Sequence, residues 1–152
     1  MVDVWRFAPV SEADFEPLLA IRIDVMREHL ERVFRYKPSR ARRLFREHFN
    51  EPGLRLILVG DETAGCVGFR VGEAEIKIDS FYLARKYHNR GLGTVILKVL
   101  LAEADALGLP VELDVLHGSP AKRFYERHGF VKQGQDDIEA NFRRAASSPV
   151  SS

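Results

Sequence analysis

The chain has 152 residues, of which 45% are hydrophobic and 30% charged, and its formal net charge is +1. This length is typical of one domain, and the hydrophobic share is large enough to fill a core. Because the charges nearly balance, the composition disfavours binding to nucleic acid or to an anionic membrane through a general basic face.

Hydrophobic periodicity and turn residues predict the element order β-α-α-β-β-β-α-β-α-β-β. The chain begins with a strand over residues 2–7, which Pro9 ends. For the helix that follows, Asp14 is favoured over Ser11 as the N-cap, because Pro17 then lies in the first turn. A second helix begins near Pro38. Three strands follow it, over residues 54–59, 66–71 and 75–83, with turns at 61–65 and 72–74.

The strand over residues 75–83 has an alternating pattern, which predicts two distinct faces. One face is predicted to carry Ile76, Ile78, Ser80 and Tyr82. The opposite face is predicted to carry Glu75, Lys77, Asp79, Phe81 and Leu83.

The second half of the chain continues with a helix over residues 92–107 that ends at Gly108. Its predicted apolar stripe consists of Val95, Ile96, Val99, Leu100 and Ala104. A strand over 111–116 and a helix over 121–128, capped by Ser119, come next. Two further strands are predicted over residues 130–133 and 138–143, and residues 145–152 are expected to form a disordered tail.

We expect a cytoplasmic protein. The single cysteine, Cys66, allows no disulfide within the chain, which fits a reducing compartment. No apolar run reaches the roughly 18 residues of a membrane span. Asp3 and Arg6 interrupt the N-terminal hydrophobic residues, so no signal peptide is expected.

The loop over residues 85–94 predicts an anion site. Gly91 and Gly93 allow the backbone to approach a ligand closely, and a helix begins directly beside them. The first amides of a helix have no internal partners, and the helix dipole adds partial positive charge. Arg85, Lys86 and Arg90 add formal charge, so the loop suits a phosphate or pyrophosphate. The alternative interpretation is a glycine turn without a ligand.

Two common phosphate motifs do not fit this loop. A dinucleotide fingerprint needs a third glycine where the chain has Ile96. A P-loop needs a lysine after its last glycine, whereas Gly93 is followed by Thr94. A nucleotide-binding domain that uses ATP is therefore disfavoured.

Two segments of the chain resemble the GNAT acetyltransferases. Residues 88–93, His-Asn-Arg-Gly-Leu-Gly, resemble the family's pyrophosphate loop, Gln/Arg-x-x-Gly-x-Gly/Ala at a strand-to-helix turn. Residues 125–130 match its later Tyr-x-x-x-Gly-Phe spacing. The two motifs occur in order at the usual separation, and the order of elements agrees over residues 2–144. The chain departs from the pattern at His88 (usually Gln or Arg), Arg85 (often Pro) and Ser119 (usually Asn).

The resemblance implies an α/β fold in a single domain over residues 1–144. Its sheet would be mixed, largely antiparallel and twisted, with about seven strands and helices on both faces. Acetyl-CoA would be the co-substrate, without a metal. The implied coenzyme-binding residues are Phe81, Leu83, His88, Asn89, Arg90, Gly91, Leu92, Gly93, Thr94, Ser119 and Lys122. Main-chain groups of Phe81 and Leu83 would bind pantetheine, and an N–H there would polarise the thioester carbonyl.

The resemblance also implies catalytic roles. Tyr125 matches the tyrosine that protonates the departing thiolate; its alternative is a core aromatic residue. Asp79 is the favoured base for the attacking amine, and its alternative is a surface carboxylate paired with Lys77 or an arginine. Glu75 is a weaker second candidate, and a chain of water molecules is the alternative to a side-chain base. Cys66 lies away from the loop, which disfavours an acetyl-cysteine intermediate.

The expected activity is direct acetyl transfer to an amine of a small molecule or a peptide. The acceptor site is expected among Arg22, Arg27, His29, Glu31, Arg35 and Tyr36. The basic run Arg40, Arg42, Arg43 and Arg46 would either steer an acidic acceptor or form a solvated helix face. A non-catalytic acyl-CoA-binding module and a different acyl group are the open alternatives. Homodimers are common in such folds, but the sequence does not indicate one.

Overall fold

The computed structural model describes residues 4–33 and 37–147. Their strands are β1 (Trp5–Pro9), β2 (Leu54–Val59), β3 (Glu62–Val71), β4 (Ile76–Leu83), β5 (Val111–Leu116), β6 (Val131–Gln135) and β7 (Glu139–Arg144). Their α-helices are α1 (Phe15–Val33), α2 (Pro38–Asn50), α3 (Leu92–Leu107) and α4 (Ala121–Glu126). Short 3-10 turns, Glu12–Asp14 and Arg85–Tyr87, precede α1 and α3. This order of strands and α-helices is the predicted one.

The seven strands form one sheet in the order β1-β2-β3-β4-β5-β7-β6. Every neighbouring pair is antiparallel except β4 and β5, which are parallel. The predicted mixed, largely antiparallel sheet is therefore confirmed. The β4–β5 pairing is limited to Ile76 with Val111 and Lys77 with Glu112. Beyond Lys77 the two strands separate, which opens the middle of the sheet.

A hydrophobic core lies on each face of the sheet. On one face α3 packs through Ile96, Leu97 and Leu100, which are fully buried against strand residues such as Val111. On the other face α1 and α2 form a second core that includes Phe15, Phe45 and Phe49. The rings of Phe15 and Phe45 stack at 5.7 Å between centroids. Burial of each such side chain stabilises the fold by about 1.5–3 kcal/mol, so both helix layers are firmly held against the sheet.

The N-terminus of α1 differs from the prediction. Ser11, not Asp14, is the N-cap residue of the 3-10 turn, because Ser11 adopts extended backbone angles. The Ser11 N–H donates to the Asp14 carboxylate at 2.8 Å, so Asp14 contributes the other half of a capping box. The predicted strand over residues 2–7 is observed only from Trp5, and residues 1–3 lie outside the described residues. Pro9 is the last residue of that strand rather than following it.

The hairpin between β2 and β3 is tighter than the predicted turn over residues 61–65. Val59 pairs directly with Glu62, and Gly60 has a φ of 58°. Such a positive φ suits the two-residue turns that match the twist of a hairpin. Consequently Ala64 and Gly65 belong to the strand and are buried.

The predicted apolar stripe of α3 is only partly correct. Val95 and Val99 are 45% and 41% exposed, whereas Leu97 and Leu101 are buried. The helix turns its leucines inward because a leucine buries more apolar area than a valine. The predicted bounds of α3 are confirmed, and its C-cap Gly108 has a left-handed φ of 70°.

The C-terminal elements are shifted by one or two residues from their predicted bounds. The last helix, α4, ends at Glu126 rather than 128, because the chain continues as a turn to Gly129. The last two strands, β6 and β7, begin one residue later than predicted. Within the predicted tail, Ser147 is held by a hydrogen bond from its N–H to the Asp105 carboxylate at 3.0 Å. Residues 148–152 lie outside the described residues.

Candidate active site

A cavity of about 500 Å³ opens where β4 and β5 separate. Residues 77–82 of β4 and 113–116 of β5 line it. Tyr125 of α4 reaches it from the α3 face of the sheet, and Arg22 of α1 and His48 of α2 reach it from the other face. The cavity therefore connects the two faces of the sheet through the gap between the strands.

A β-bulge at Ser80 changes which side chains of β4 point to each face of the sheet beside this cavity. Val67 of β3 lies opposite both Ser80 and Phe81, and Ser80 has a φ of 47°. The extra residue shifts the alternation by one position. Phe81 packs against the α3 core, whereas Tyr82 packs against the α1–α2 core. The prediction that Asp79 shares a face with Phe81 and Leu83 is therefore wrong, because an uninterrupted alternation does not include the bulge.

Two glycines of β3 permit this close strand geometry. A Cβ at Gly65 would overlap the carbonyl oxygen of Tyr82. A Cβ at Gly68 would overlap the carboxylate of Asp79. Glycine in a strand often marks such a close backbone approach, so these positions shape the floor of the cavity.

Asp79, the predicted base, lines the cavity but is engaged in a bidentate ion pair with Arg70. The Arg70 guanidinium donates to its two oxygens at 3.0 and 3.2 Å. The same guanidinium donates to the carbonyls of His48, Glu51 and Pro52 at the end of α2. The Asp79 carboxylate is thus held in place by a cation that also ties α2 to the sheet.

Tyr125, the predicted acid, is held on the α3 side of the gap. The helix that carries it, α4, has Pro120 and not the predicted Ser119 as its N-cap, although the Ser119 hydroxyl accepts from the Ala121 N–H at 3.2 Å. The Tyr125 ring meets the ring edges of Phe124 and Phe130 at 5.2 and 5.5 Å between centroids. Burial, with a smaller contribution from Tyr82, raises the pKa of the Tyr125 phenol above its ordinary value. The phenol therefore keeps its proton at neutral pH.

The N-terminus of α3 presents backbone amides without a capping side chain. Gly91 is the N-cap in a left-handed conformation with a φ of 78°, and no side chain caps the helix there. The first helical hydrogen bond runs from the Val95 N–H to the Gly91 carbonyl at 3.1 Å. The amides of Leu92, Gly93 and Thr94 therefore have no acceptor within the helix. A Cβ at Gly91 would meet no atom within 4 Å, so space is open beside these donors.

Two basic side chains of the predicted anion loop are already engaged in ion pairs. Arg85 donates to the Asp24 carboxylate at 3.0 Å, and Lys86 is paired with Glu62. His88 Nε2 lies 2.6 Å from the Leu83 carbonyl oxygen and joins the loop to the end of β4. The predicted anion site therefore depends mainly on main-chain groups.

The remaining predicted coenzyme-binding residues are dispersed around this loop and the cavity. Ser119 and Phe81 line the cavity, whereas the Leu92 side chain is buried in the core and can offer only its backbone. Asn89 has a φ of 59°, and Lys122 is exposed. Arg90 is exposed and donates to the Lys86 carbonyl at 3.2 Å.

The second candidate base, Glu75, precedes β4 at the end of the strand away from the gap. It accepts from Arg143 at 3.4 Å and does not line the cavity.

The predicted acceptor region is only partly brought together. Arg22 is 9% exposed and lines the cavity, where it donates to the Tyr82 hydroxyl at 3.2 Å. Arg27 instead pairs with Glu31 on the exposed face of α1. Arg27, His29 and Glu31 do not line the cavity. Arg35 and Tyr36 lie outside the described residues.

The basic run on α2 divides between the cavity and the helix surface. Arg40 lines the cavity. Arg42 and Arg46 pair with Glu16 and Glu12 and cover the Phe15 ring, as in the solvated-face alternative. The exposed Arg43 does not line the cavity either.

Sequence reasoning did not identify three charged residues at the site, Arg70, Asp114 and Glu139. Asp114 and Glu139 line the cavity, and Arg70 holds Asp79. Asp114 could have been found from the alternation of its strand, VELDVL, in which Glu112 and Asp114 alternate with apolar residues. Glu139 had no such signal, because it reaches the cavity only through the pairing of β7 with β5.

Within the described residues, no group of His, Cys, Asp and Glu is arranged to hold a metal ion. No helix among them has the length and hydropathy that crossing a bilayer requires. The open site is thus built from backbone amides, a tyrosine and carboxylates.

The fold is similar to solved acetyltransferase structures. An acetyltransferase from Thermus thermophilus is 20% identical, with 93% of this chain and 97% of that chain covered and a TM-score of 0.72. The PaiA N-acetyltransferase from Thermoplasma acidophilum, solved in complex with coenzyme A, is 13% identical over 93% and 99%, with a TM-score of 0.75. A protein from Pyrococcus horikoshii is 19% identical over 95% and 99%, with a TM-score of 0.74. At these identities the likeness concerns the fold alone.

At the level of sequence, no curated protein matches the chain. The model of the acetyltransferase (GNAT) family, however, matches residues 22–130, which is more than half of the chain. That segment includes the gap between β4 and β5, the N-terminus of α3 and Tyr125. The chain therefore belongs to the GNAT family of acetyltransferases.

Proposed function

We propose that this protein transfers an acetyl group from acetyl-CoA directly to an amine of a small molecule or a peptide. One observation carries the proposal: the cavity crosses the open sheet and has a half-buried, protonated tyrosine on one side and carboxylates on the other. The uncapped N-terminus of α3 lies on the same face as the tyrosine, because both elements pack on one core. A site open to both faces suits a reaction that joins two different molecules.

The described residues fit acetyl-CoA. The amides of Leu92, Gly93 and Thr94 would bind its pyrophosphate, since phosphates bind well at helix N-termini. From Ile78 onward, β4 has no partner on its β5 side, and that edge would bind pantetheine through main-chain groups. When bound, acetyl-CoA supplies an activated acyl group. The Thermoplasma acidophilum structure, which contains coenzyme A, supports this assignment through its similar fold.

Tyr125 would act as the general acid. Because its pKa is raised, the phenol is neutral at physiological pH and can donate its proton to a departing thiolate. A free thiol has a pKa of about 8.5, which is below that of the phenol, so the proton is donated as the C–S bond breaks, where the burial that raises the phenol pKa also disfavours a free thiolate.

Asp79 stays a prediction for the base. It faces the acceptor side of the gap, and Arg70 engages both of its oxygens. In that geometry it would act from within an ion pair, and it would also help to hold the end of α2 in place.

The protein is further proposed to be cytoplasmic, since its one cysteine allows no disulfide within the chain.

That cysteine, Cys66, is fully buried and donates to the Ser80 carbonyl at 3.2 Å. Burial raises the pKa of this thiol to about 12, which disfavours a thiolate and hence an acetyl-cysteine intermediate.

The substitution Tyr125→Phe tests the proposal. It removes the proposed acid and keeps the ring, so we expect kcat to fall about 100-fold while the Kd for acetyl-CoA stays within about threefold. Tyr87→Phe is the matched control, because its phenol bonds Glu62 outside the cavity. Turnover would be followed by release of free coenzyme A with a panel of amines and with propionyl- and succinyl-CoA as alternative donors.

Each outcome of this experiment has a separate meaning. Equal kcat in Tyr125→Phe and the parent would reject the acid assignment. Acetyl-CoA binding without transfer to any amine would favour a non-catalytic acyl-CoA-binding module. Absence of acetyl-CoA binding would overturn the proposed function.

A further inference from the structure

We propose that Glu139 binds the ammonium group of the acceptor and is the base that removes its proton. This inference rests on the proposed function and assigns a residue that the resemblance did not suggest. It also predicts that the acceptor amine reaches the site as a cation.

Glu139 is fixed at the rim of the gap. It is the first residue of β7 and lies opposite Leu116, the last residue of β5, and both line the cavity. Its backbone N–H donates to the Asp136 carboxylate at 2.8 Å, and its carbonyl accepts from the Asp136 N–H at 2.9 Å. This closed turn holds the main chain of Glu139 at the cavity wall.

The Glu139 side chain lies on the face of the sheet opposite Tyr125. Its neighbour Ala140 is buried in the core beneath α3, together with Phe142. Successive residues of a strand point to opposite faces, so Glu139 lies on the α1–α2 side. Tyr125 packs against the α3 core. The proposed acid and base therefore approach the gap from opposite sides, as coenzyme and acceptor would.

The charged groups around Glu139 favour cation binding there. Asp114 is its diagonal neighbour across the β5–β7 pair and accepts from Lys77 at 3.3 Å and from Asn141 at 3.0 Å. Lys77 and His117 lower the pKa of Glu139, but Lys77 is itself paired with Asp114. Asp79, by contrast, already has its cation in Arg70. An ammonium group entering the cavity thus finds at Glu139 a carboxylate with less direct compensation than Asp79 has.

The protonation of Glu139 is also suited to a base. Burial, followed by the carboxylates of Asp114 and Asp136, raises its pKa, and Lys77 and His117 oppose that rise. A carboxylate with a raised pKa binds a proton more strongly and is a better general base. The other titratable or charged side chains lining the cavity, on α1, α2, β4 and α4 and in the segment before α2, are Arg22, Lys37, Arg40, His48, Asp79, Tyr82 and Tyr125.

The proton and electron changes balance across the two sides. The ammonium nitrogen loses one proton to Glu139, which passes it to solvent through the open cavity. The freed lone pair forms the new C–N bond to the acetyl carbon, and the C–S bond breaks with its electrons going to sulfur. Sulfur takes the proton of the Tyr125 hydroxyl, and the second nitrogen proton restores that hydroxyl through solvent. One proton is released for each amide formed.

The test compares Glu139→Gln with the parent over a range of pH. We expect kcat/KM for the amine to fall about 100-fold at neutral pH while the Kd for acetyl-CoA and the Tm are nearly unchanged. The deficit should shrink at alkaline pH, where free amine is present without a base. Glu139→Asp should recover part of the loss.

Controls separate a base from a structural role. Glu112→Gln removes a carboxylate on the same face of β5, outside the cavity and bonded to Arg143 at 2.8 Å, and should keep parental kinetics. In the parent, kcat/KM should fall at acidic pH as the base becomes protonated, and this fall is the acidic limb of the pH profile. Comparing Asp79→Asn with Glu139→Gln shows which carboxylate causes it. Loss of that limb in Asp79→Asn and not in Glu139→Gln would overturn the inference. A parental pH profile in Glu139→Gln, or an equal loss at every pH, would also overturn it. If the parent binds no acetyl-CoA or acetylates no amine, the proposed function fails first.

Discussion

The ion pair between Arg70 and Asp79 makes the sharpest prediction about stability. The two side chains are only 14% and 16% exposed. Arg70 joins three parts of the fold, because it lies on β3, binds Asp79 beside the bulge of β4 and caps carbonyls at the end of α2. The substitution Arg70→Met keeps much of the side-chain volume and leaves the Asp79 carboxylate buried without its cation.

The expected cost follows from that burial. Removing one partner of a buried ion pair typically destabilises a protein by about 3–5 kcal/mol. For a chain of this length each kcal/mol lowers Tm by about 2–4 °C, so Arg70→Met should lower Tm by about 6–20 °C. The double variant Arg70→Met/Asp79→Leu has no isolated charge and should recover most of the loss.

Urea unfolding followed by circular dichroism gives the free energy of unfolding of each variant. Arg27→Met is the matched control, because the Arg27–Glu31 pair lies at the surface with side chains 60% and 52% exposed. Such a pair contributes about 0.3–0.5 kcal/mol. An Arg70→Met variant that loses no more stability than Arg27→Met, or a double variant as unstable as Arg70→Met, would show that the buried ion pair does not hold these elements together.

Two further predictions concern the coenzyme site and the pH dependence of stability. Gly93→Asp places a carboxylate beside the free amides of α3, so acetyl-CoA binding measured by calorimetry should weaken at least about tenfold. The Tm should not fall, since an acidic residue is favourable at a helix N-terminus. Gly93→Ala is its control, because a Cβ meets neighbours only at 3.8 Å; equal affinities for Gly93→Asp and Gly93→Ala would contradict the site. The pKa of Asp105 is held below its ordinary value, first by hydrogen bonds from Arg144 and also by the Ser147 amide. A lowered folded-state pKa stabilises the fold above the unfolded-state pKa of about 3.9, and that contribution disappears as pH falls through the folded-state value. The stability advantage of the parent over Asp105→Asn should therefore be largest at neutral pH and close below roughly pH 4 in urea titrations; a constant difference would count against this role.

Local sequence patterns predicted the elements well. Helix α3 and strands β2 and β5 have their predicted bounds, because clear periodicity and glycine or proline boundaries define them. The glycines at the start of α3 and the residue spacing around Tyr125 were visible as motifs, since each depends on neighbours close in sequence.

The rest of the site depends on contacts between distant segments. A single extra residue, Ser80, turns Asp79 to the other face of β4, and strand alternation alone contains no sign of it. The Arg70–Asp79 pair requires β3 and β4 to be in register, and Glu139 reaches the cavity only because β7 is inserted between β5 and β6. Such cross-strand relations arise from the sheet as a whole, so they could not be predicted from local patterns.

Thermal unfolding with and without acetyl-CoA shows whether this protein binds its proposed co-substrate. A ligand present at 100 times its Kd adds about 2.7 kcal/mol to the free energy of unfolding. For this chain that corresponds to a rise in Tm of about 5–10 °C. We expect this rise with acetyl-CoA and none with ATP or NAD. No shift at millimolar acetyl-CoA, or an equal shift with ATP, would contradict the account.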